Sequence, residues 1–351
     1  MRRVANEGGL HMNDGPTFGL WYDFRQPVPF RQSYGSFYGE CLEEIEEGER
    51  LGLSGVWLSE HHFVDDGYLP SPLVAAAAIA ARTRNMTIGT NVLLLPMHHP
   101  LRVAEDAAVV DLISGGRFVL GVGLGYVQHE FEVLGFNRKH RPSLMEEGVA
   151  VIRQAWEEGR IGFSGRRWRF EDLPFEPRPG RRIPIYFGGY TEPAVDRAVR
   201  LADGFMAGGR KGAAEMYGLL QRKLKEHGRD PATFPLIASQ AVYVHEDPER
   251  AWAEAAPCIA YQRNRYAEWG SGRDEPRPEP IGPGEVPREP YFVGSPDEVA
   301  RDLIELYRQA PYEHLCFWGR LPGLSHEQAL NSMRLFVERV APAVRAAAGK
   351  A

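Results

Sequence analysis

The chain has 351 residues, of which 43% are hydrophobic and 25% charged, and its formal net charge is −6. These values are typical of folded globular proteins and exclude a disordered or fibrous chain. No long basic run could neutralise a phosphate backbone, and no run of roughly 18 apolar residues could span a bilayer, so neither nucleic acid nor a membrane is an expected partner.

Residues 1–16 contain two arginines but no apolar segment, which predicts a flexible leader rather than a secretory signal. From residue 17 onward, short β-type runs alternate with longer helical ones, and residues 17–345 are predicted to form one domain. The runs predicted as strands are 17–23, 54–59, 86–96, 117–125, 183–189, 204–209, 236–245 and 314–319. Between them lie helical patterns such as 72–83, 101–114, 143–157 and 296–309.

Two segments interrupt this alternation. Residues 160–180 have hairpin character, and residues 270–290 are rich in Gly, Pro and charge, which predicts a mobile loop or lid. About eight strands alternating with eight or more helices predict a parallel sheet, and the number favours a closed (β/α)8 TIM barrel over an open doubly wound sheet. Active sites of such barrels lie where the strands end and the βα loops begin.

Histidines follow the second and third predicted strands. Glu60, His61 and His62 come after the second, and His98 and His99 after the third. Because adjacent residues of an extended chain point to opposite sides, each His-His pair offers one ligand at most, so no metal site is expected. One ring can instead handle a proton near neutral pH, and structural hydrogen bonding is the expected role of His62 and His98.

The sequence GGYT at 188–191 gives a different signal. Gly188 and Gly189 after a strand allow close approach of a ligand, and Thr191 is a suitable N-cap for a helix whose free amides attract an anion. This pattern fits a phosphate cradle, although it also fits an ordinary loop. The run GVGLG at 121–125 lacks the Gly-x-Gly-x-x-Gly spacing of a dinucleotide fingerprint, and we expect its small residues to make room for a flat ligand.

Taken together, these residues resemble the bacterial luciferase-like monooxygenase family, in particular the luciferase alpha subunit. The resemblance extends without a gap from Glu60 to Gly135 and more weakly over nearly the whole chain from Thr17. The matching text is SEHHF at 59–63, GT at 89–90, LP at 95–96, HPLR at 99–102, ED at 105–106, SGGRF at 114–118 and EF at 130–131.

The resemblance implies a barrel that binds reduced FMN at its C-terminal rim and uses O2 to oxidise a small organic substrate, with an external NAD(P)H-dependent flavin reductase as partner. His61 matches the family's catalytic histidine. Asn91 and Val92 match a non-proline cis peptide beneath the flavin ring, and Tyr190 and Thr191 match positions that hold its phosphate.

Two positions depart from the luciferase pattern. Gly123 replaces a reactive cysteine, and Leu124 replaces a phosphate-binding arginine. The first alternative is therefore a deazaflavin-dependent oxidoreductase that binds reduced 8-hydroxy-5-deazaflavin and transfers hydride, and the second is a flavin-binding protein without catalysis. The EHHF motif and the match without gaps favour FMN.

The remaining expectations concern the pocket and the assembly. Phe63 and Trp318 are predicted to form apolar walls of the substrate pocket. The alanine-rich run at 73–81 permits close helix packing, and family members commonly form dimers through the helices after strands 2 and 3, so a homodimer is expected. The three cysteines, Cys41, Cys258 and Cys316, suggest neither a disulfide framework nor a thiolate metal cluster, which fits a cytoplasmic location.

Overall fold

The computed structural model describes residues 15–208, 212–270 and 279–349. In chain order the strands are β1 Thr17–Tyr22, β2 Gly55–Leu58, β3 Thr87–Thr90, β4 Phe118–Val122, β5 Arg160–Ser164, β6 Arg169–Pro174, β7 Ile185–Gly188, β8 Gly204–Gly208, β9 Leu236–Gln240, β10 Val242–Val244, β11 Phe292–Gly294 and β12 His314–Trp318. The α-helices are α1 Tyr34–Arg50, α2 Pro72–Arg82, α3 Pro100–Ser114, α4 Gln128–Val133, α5 Arg141–Glu158, α6 Glu192–Leu201, α7 Ala213–Glu226, α8 Pro248–Gly270, α9 Pro296–Gln309, α10 His326–Leu335 and α11 Ala341–Ala348.

Eight of the described strands close into a parallel barrel in the order β1, β2, β3, β4, β7, β8, β9 and β12, with β12 pairing back to β1. The predicted TIM barrel is confirmed. The predicted insertion is also present, as the antiparallel hairpin of β5 and β6 between α5 and β7. The leader prediction falls outside the described residues except for its last two positions, and so does most of the first half of the predicted loop at 270–290.

The predicted strands are one to three residues longer than most of the observed ones, and three of them differ more. The third ends at Thr90 and the fourth at Val122. The run 236–245 divides into β9, which belongs to the barrel, and β10, which leaves it and pairs with β11. The extra apolar residues of these runs are buried in loops and side sheets rather than in barrel strands.

Alternation along the strands separates two cores. In β4, Phe118, Leu120 and Val122 face the helices, while Val119 faces the barrel interior. The interior is filled largely by the indole of Trp57, and a Cβ added at Gly89 would lie 2.2 Å from that ring. Glycine is therefore required on β3 because the neighbouring strand carries the largest side chain.

A neutral histidine completes this interior. His314 is fully buried, its Nε2 accepts a hydrogen bond from Trp57 Nε1 at 2.9 Å, and its Nδ1 lies 2.8 Å from Thr17 Oγ1. Burial lowers the pKa of His314 to about 3. Because the charged ring is excluded from this environment, folding requires the neutral form.

This burial predicts a pH dependence of stability. The folded-state pKa lies below the unfolded one of about 6.5, so the contribution is complete above pH 6.5 and is lost as the pH falls towards 3. Below pH 6 we expect this group to lower the free energy of unfolding by about 1.4 kcal/mol per pH unit, measured by urea titration between pH 6 and 4. His314→Gln should remove that part of the slope, and an identical slope in both proteins would contradict the assignment.

No helix among residues 15–208, 212–270 and 279–349 has the length and apolar character that crossing a bilayer requires.

Candidate active site

A cavity of about 690 Å³ opens at the C-terminal ends of the barrel strands. Its volume lies within the range of small-molecule sites, roughly 300–1,000 Å³. It brings together all but one of the predicted site residues, which come from five different regions of the chain. Those that line it are His61, Asn91, Val92, Gly123, Leu124, Gly188, Gly189, Tyr190, Thr191 and Trp318.

Phe63 lies elsewhere. Its backbone adopts a positive φ of 56°, its side chain is 55% exposed, and its ring contacts His62 and His129 rather than the cavity. The proximity of Phe63 to His61 in sequence suggested a pocket wall, but the chain turns sharply between them. The aromatic walls come instead from Trp21, Trp318 and tyrosines of other loops.

His61 is held by a carboxylate. It follows β2, is 6% exposed, and its Nδ1 lies 2.8 Å from Glu130 Oε1. Glu130, which is buried in α4, also accepts the backbone N–H of His62 at 2.8 Å. A carboxylate at Nδ1 sets the tautomer in which Nε2 carries the lone pair, and it fixes the ring orientation. Nε2 has no hydrogen-bond partner among the described residues, so it is available to a ligand in the cavity.

Aromatic rings surround this imidazole. The centroid distances to His61 are 4.7 Å for Trp269, 4.8 Å for Tyr68, 5.6 Å for Tyr126 and 6.1 Å for Tyr266. These residues come from the loop after β2, the loop after β4 and the end of α8. Their rings restrict the access of water to the imidazole, which strengthens electrostatic interactions at Nε2.

Glu60 organises a separate network behind His61. Its Oε1 accepts hydrogen bonds from Nε2 of His62 and of His98, each at 2.6 Å, and its Oε2 accepts the backbone N–H of Leu94 at 2.7 Å. Burial alone would raise the pKa of Glu60, but the two imidazoles lower it to about 2. Burial likewise opposes protonation of His98, yet Glu60 raises the pKa of His98. The carboxylate is therefore ionised, and the predicted structural roles of His62 and His98 agree with these contacts.

The same three side chains are close enough to be considered as metal ligands. Two atoms bound to one Zn²⁺ at about 2.0–2.1 Å in tetrahedral geometry lie roughly 3.3 Å apart. The 2.6 Å separations at Glu60 Oε1 are shorter and correspond to charge-assisted hydrogen bonds. The observed arrangement is a hydrogen-bonded network.

The cavity floor contains the cis peptide between Asn91 and Val92, the bond that the resemblance implied. Asn91 Nδ2 donates to Ser239 Oγ at 2.7 Å, which attaches this loop to β9. A Cβ at Gly123 would lie 2.4 Å from Val92 Cγ2. The glycine thus makes room for Val92 directly, whereas the sequence suggested that it makes room for the ligand.

Two other lining residues are suited to binding an anion. Thr191 occupies the N-cap position of α6, but its side chain makes no capping hydrogen bond, so the predicted capping role is not observed and the hydroxyl remains available. Arg141, at the start of α5, also lines the cavity, and its Nη1 donates to the carbonyl of Gly125 at 3.2 Å. Among the described lining residues, Arg141 alone carries a guanidinium, and the sequence interpretation did not identify it.

Asp65 and Asp66 join the loop after β2 to α8. Asp65 is paired with Arg265, and the buried Asp66 accepts a hydrogen bond from Tyr261 at 2.8 Å. These contacts position the end of α8, and with it Trp269, over His61.

Known proteins resemble this chain over most of its length. It is 26% identical over 321 residues to an F420-dependent glucose-6-phosphate dehydrogenase of Amycolatopsis mediterranei, covering 88% of this chain and 95% of that protein. It is 23% identical over 337 residues to the oxygenase component of a flavin-dependent trigonelline monooxygenase of Acinetobacter baylyi, covering 90% and 92%. The monooxygenase RslO1 from Streptomyces bottropensis superposes with a TM-score of 0.81 at 24% identity, covering 93% and 99%.

The model of one protein family matches residues 18–314, which include seven of the eight barrel strands apart from Thr17, the first residue of β12 and all of the cavity lining except Trp318. The relatives divide between two cofactors, since one is named for F420 and another for flavin. Both belong to classes of oxidoreductase. The chain is a member of the luciferase-like monooxygenase family.

Proposed function

We propose that the protein is a flavin-dependent monooxygenase that uses reduced FMN and O2 to oxidise a small organic substrate. The observation that carries the proposal is that one cavity is lined both by a carboxylate-oriented imidazole, His61, and by residues suited to an anion, Arg141 and Thr191. The first group suits proton transfer and the second a phosphate monoester.

The residues of the cavity fit FMN. Arg141 and the free hydroxyl of Thr191 would hold its phosphate, and Asn91, Val92 and Leu124 would contact its ring system. When bound, the reduced flavin supplies the two electrons that activate O2.

The protein's own residues control protons and water. Glu130 keeps His61 Nε2 directed to the cavity, where it can donate a proton to, or accept one from, the reacting molecule. Three hydroxyl groups next to His61 form a chain of hydrogen bonds in the cavity wall. The hydroxyl oxygens of Tyr266 and Tyr68 lie 3.1 Å apart, and the Tyr68 hydroxyl donates to Ser59 Oγ at 2.8 Å. These hydroxyl groups orient a ligand while the aromatic rings limit access of bulk water.

A deazaflavin-dependent oxidoreductase is the second candidate, and the F420-dependent relative supports it. The single guanidinium among the described lining residues and the free hydroxyl of Thr191 suit one phosphate monoester, such as that of FMN, which favours the first candidate. A flavin-binding protein without catalysis is the third candidate, and it gives no reason for an imidazole oriented by a buried carboxylate.

Titration under anaerobic conditions tests the cofactor. We expect reduced FMN to bind at least about tenfold more tightly than reduced 8-hydroxy-5-deazaflavin, followed by quenching of tryptophan fluorescence. In Arg141→Gln the affinity for FMN should fall about tenfold or more while that for riboflavin, which lacks the phosphate, stays unchanged. Arg138→Gln, at an exposed arginine of the same loop, is the control. Tighter binding of the deazaflavin would favour the second candidate.

We further propose that a separate NAD(P)H-dependent reductase supplies the reduced flavin, in the cytoplasm. The relative from Acinetobacter is named as an oxygenase component, and the chain lacks a dinucleotide fingerprint. All three cysteines are buried and unpaired, which fits a reducing compartment.

A homodimer is the proposed assembly. Helices α2 and α3 pack against each other and expose apolar side chains on their outer surface, with Val74 72%, Val109 41%, Leu112 46% and Ile113 49% exposed. We expect a dimer in sedimentation at micromolar concentration and dissociation in Val74→Asp/Ile113→Asp. Leu173→Asp, at an exposed apolar residue of the β5–β6 hairpin outside this surface, should leave the dimer intact. A wild-type monomer would contradict the proposal.

A further inference from the structure

The guanidinium of Arg25 lies behind the aromatic wall of the cavity that Tyr68, Tyr266 and Trp318 form. The side chain follows β1, is 2% exposed, and donates from Nε to Asp23 Oδ2 at 2.8 Å. The second oxygen of Asp23 accepts the backbone N–H of Arg25 at 3.1 Å. Both terminal nitrogens, Nη1 and Nη2, lack a hydrogen-bond partner among the described residues. A buried guanidinium with two unused nitrogens is unusual, because each unsatisfied donor is energetically costly.

Aromatic side chains separate this cation from the cavity. Its central carbon lies 4.9 Å from the ring centroid of Tyr68, 5.1 Å from that of Tyr266 and 5.9 Å from that of Trp318. All three rings line the cavity. Cation–π contacts stabilise the charge but do not satisfy the N–H groups, which lie at the edges of the guanidinium plane. Two unpartnered nitrogens of a cation that is itself paired with Asp23 therefore lie behind a thin aromatic wall of the cavity.

Two further donors belong to the same wall. Trp21 Nε1 and Gln262 Nε2 are buried, come from lining residues, and have no hydrogen-bond partner in the part of the chain that the structure describes. Trp21 stacks on Trp318 with centroids 4.2 Å apart, so the indole is fixed in position. Three unpartnered groups of one wall are all donors. A ligand with acceptor oxygens could accept hydrogen bonds from all three groups.

We propose that the substrate is a planar aromatic carboxylate whose carboxylate is recognised by Arg25, with Gln262 and Trp21 as additional donors. The inference rests on the proposed function, because it names the substrate class of the same cavity. Tyrosine and tryptophan rings stack well on a conjugated body. A layer of aromatic side chains separates Arg25 from the cavity. A bound carboxylate would therefore move part of this layer aside and accept charge-assisted hydrogen bonds from Nη1 and Nη2 of Arg25.

Two probes of equal shape test the proposal, naphthalene-2-carboxylate and naphthalene-2-carboxamide. Binding is measured by calorimetry on the flavin-free protein and again with FMN present. We expect the carboxylate to bind at least about tenfold more tightly than the carboxamide. Because Arg25→Gln alone would leave Asp23 buried without its partner, the variant is Asp23→Asn/Arg25→Gln, in which the preference should fall to within about twofold.

Control variants test whether the preference for the carboxylate arises from Arg25 or from another arginine. Arg250→Gln, at an exposed α8 arginine paired with Glu254, should keep the full preference. The proposal is overturned if the wild type does not prefer the carboxylate, if the folded double variant keeps the preference, or if Arg141→Gln removes it instead. Failure of FMN to bind would overturn the cofactor assignment and leave the probe comparison on flavin-free protein valid.

Discussion

Replacement of His61 by glutamine should reduce turnover by about 10²–10⁴-fold, the usual contribution of a general acid or base. Glutamine retains polarity and approximate size, but it cannot exchange a proton near neutral pH. The affinity for reduced FMN should remain within about twofold, since His61 is not one of the proposed phosphate contacts, Arg141 and Thr191. Steady-state turnover of an accepted substrate, supplied with a flavin reductase and NADH, gives the first quantity, and fluorescence titration gives the second.

Two further variants test whether the loss of turnover arises from His61 and its carboxylate partner. His129→Gln changes the histidine that directly precedes Glu130 and should leave turnover unchanged. Glu130→Gln should lower turnover and shift its pH profile, because the amide can hold the opposite tautomer of His61. Turnover in His61→Gln equal to that of the wild type would show that another group handles the proton.

Replacement of Glu60 by glutamine should destabilise the protein by about 3 kcal/mol at pH 7, because an ionised carboxylate with three hydrogen bonds is lost from a buried position. The pKa of about 2 supports a contribution of this order. Urea titration measures the difference. Glu46→Gln, which breaks the more exposed pair with Arg82, should cost less than about 1 kcal/mol.

The sign of the pH dependence adds a second check on Glu60. Its folded-state pKa lies below the ordinary value of 4.5, so the contribution is complete above pH 4.5 and disappears as the pH falls towards 2. Wild type and Glu60→Gln should therefore converge in stability at low pH. A constant difference over that range would mean that the loss at pH 7 arises from packing and not from charge.

The barrel could be predicted because each strand and helix carries its own periodicity. The division between β9 and β10 could not, since both strands are buried throughout and no glycine or proline marks a break at Ala241. It depends on β11, a three-residue strand that follows the segment 270–290 and pairs with β10 only in the folded chain.

The candidate site was predictable to the extent that it lies at strand ends. His61 met that condition. Glu130 did not, because it lies in α4, 69 positions along the chain, and its pairing with His61 depends on barrel closure. Gly123 does line the cavity, but the sequence suggested that it makes room for a ligand. In the structure a side chain at this position would collide with Val92.

The arginines show the same limit. Arg25 follows a strand, as the predicted site residues do, yet nothing in the sequence distinguishes it from the other arginines. Its proposed role in binding a carboxylate depends on the four aromatic rings that surround it. Segments far apart in the chain contribute these rings, among them Tyr68, Tyr266 and Trp318.

The packing of Trp57 against His314 has a kinetic consequence. These side chains fill the barrel interior beneath the cavity, so molecules enter and leave the cavity from the rim. Cofactor and substrate then share one entrance, and whichever occupies the deeper position must arrive first and depart last. Binding is expected to follow a compulsory order, and the slower-leaving partner would set the interval between successive turnovers.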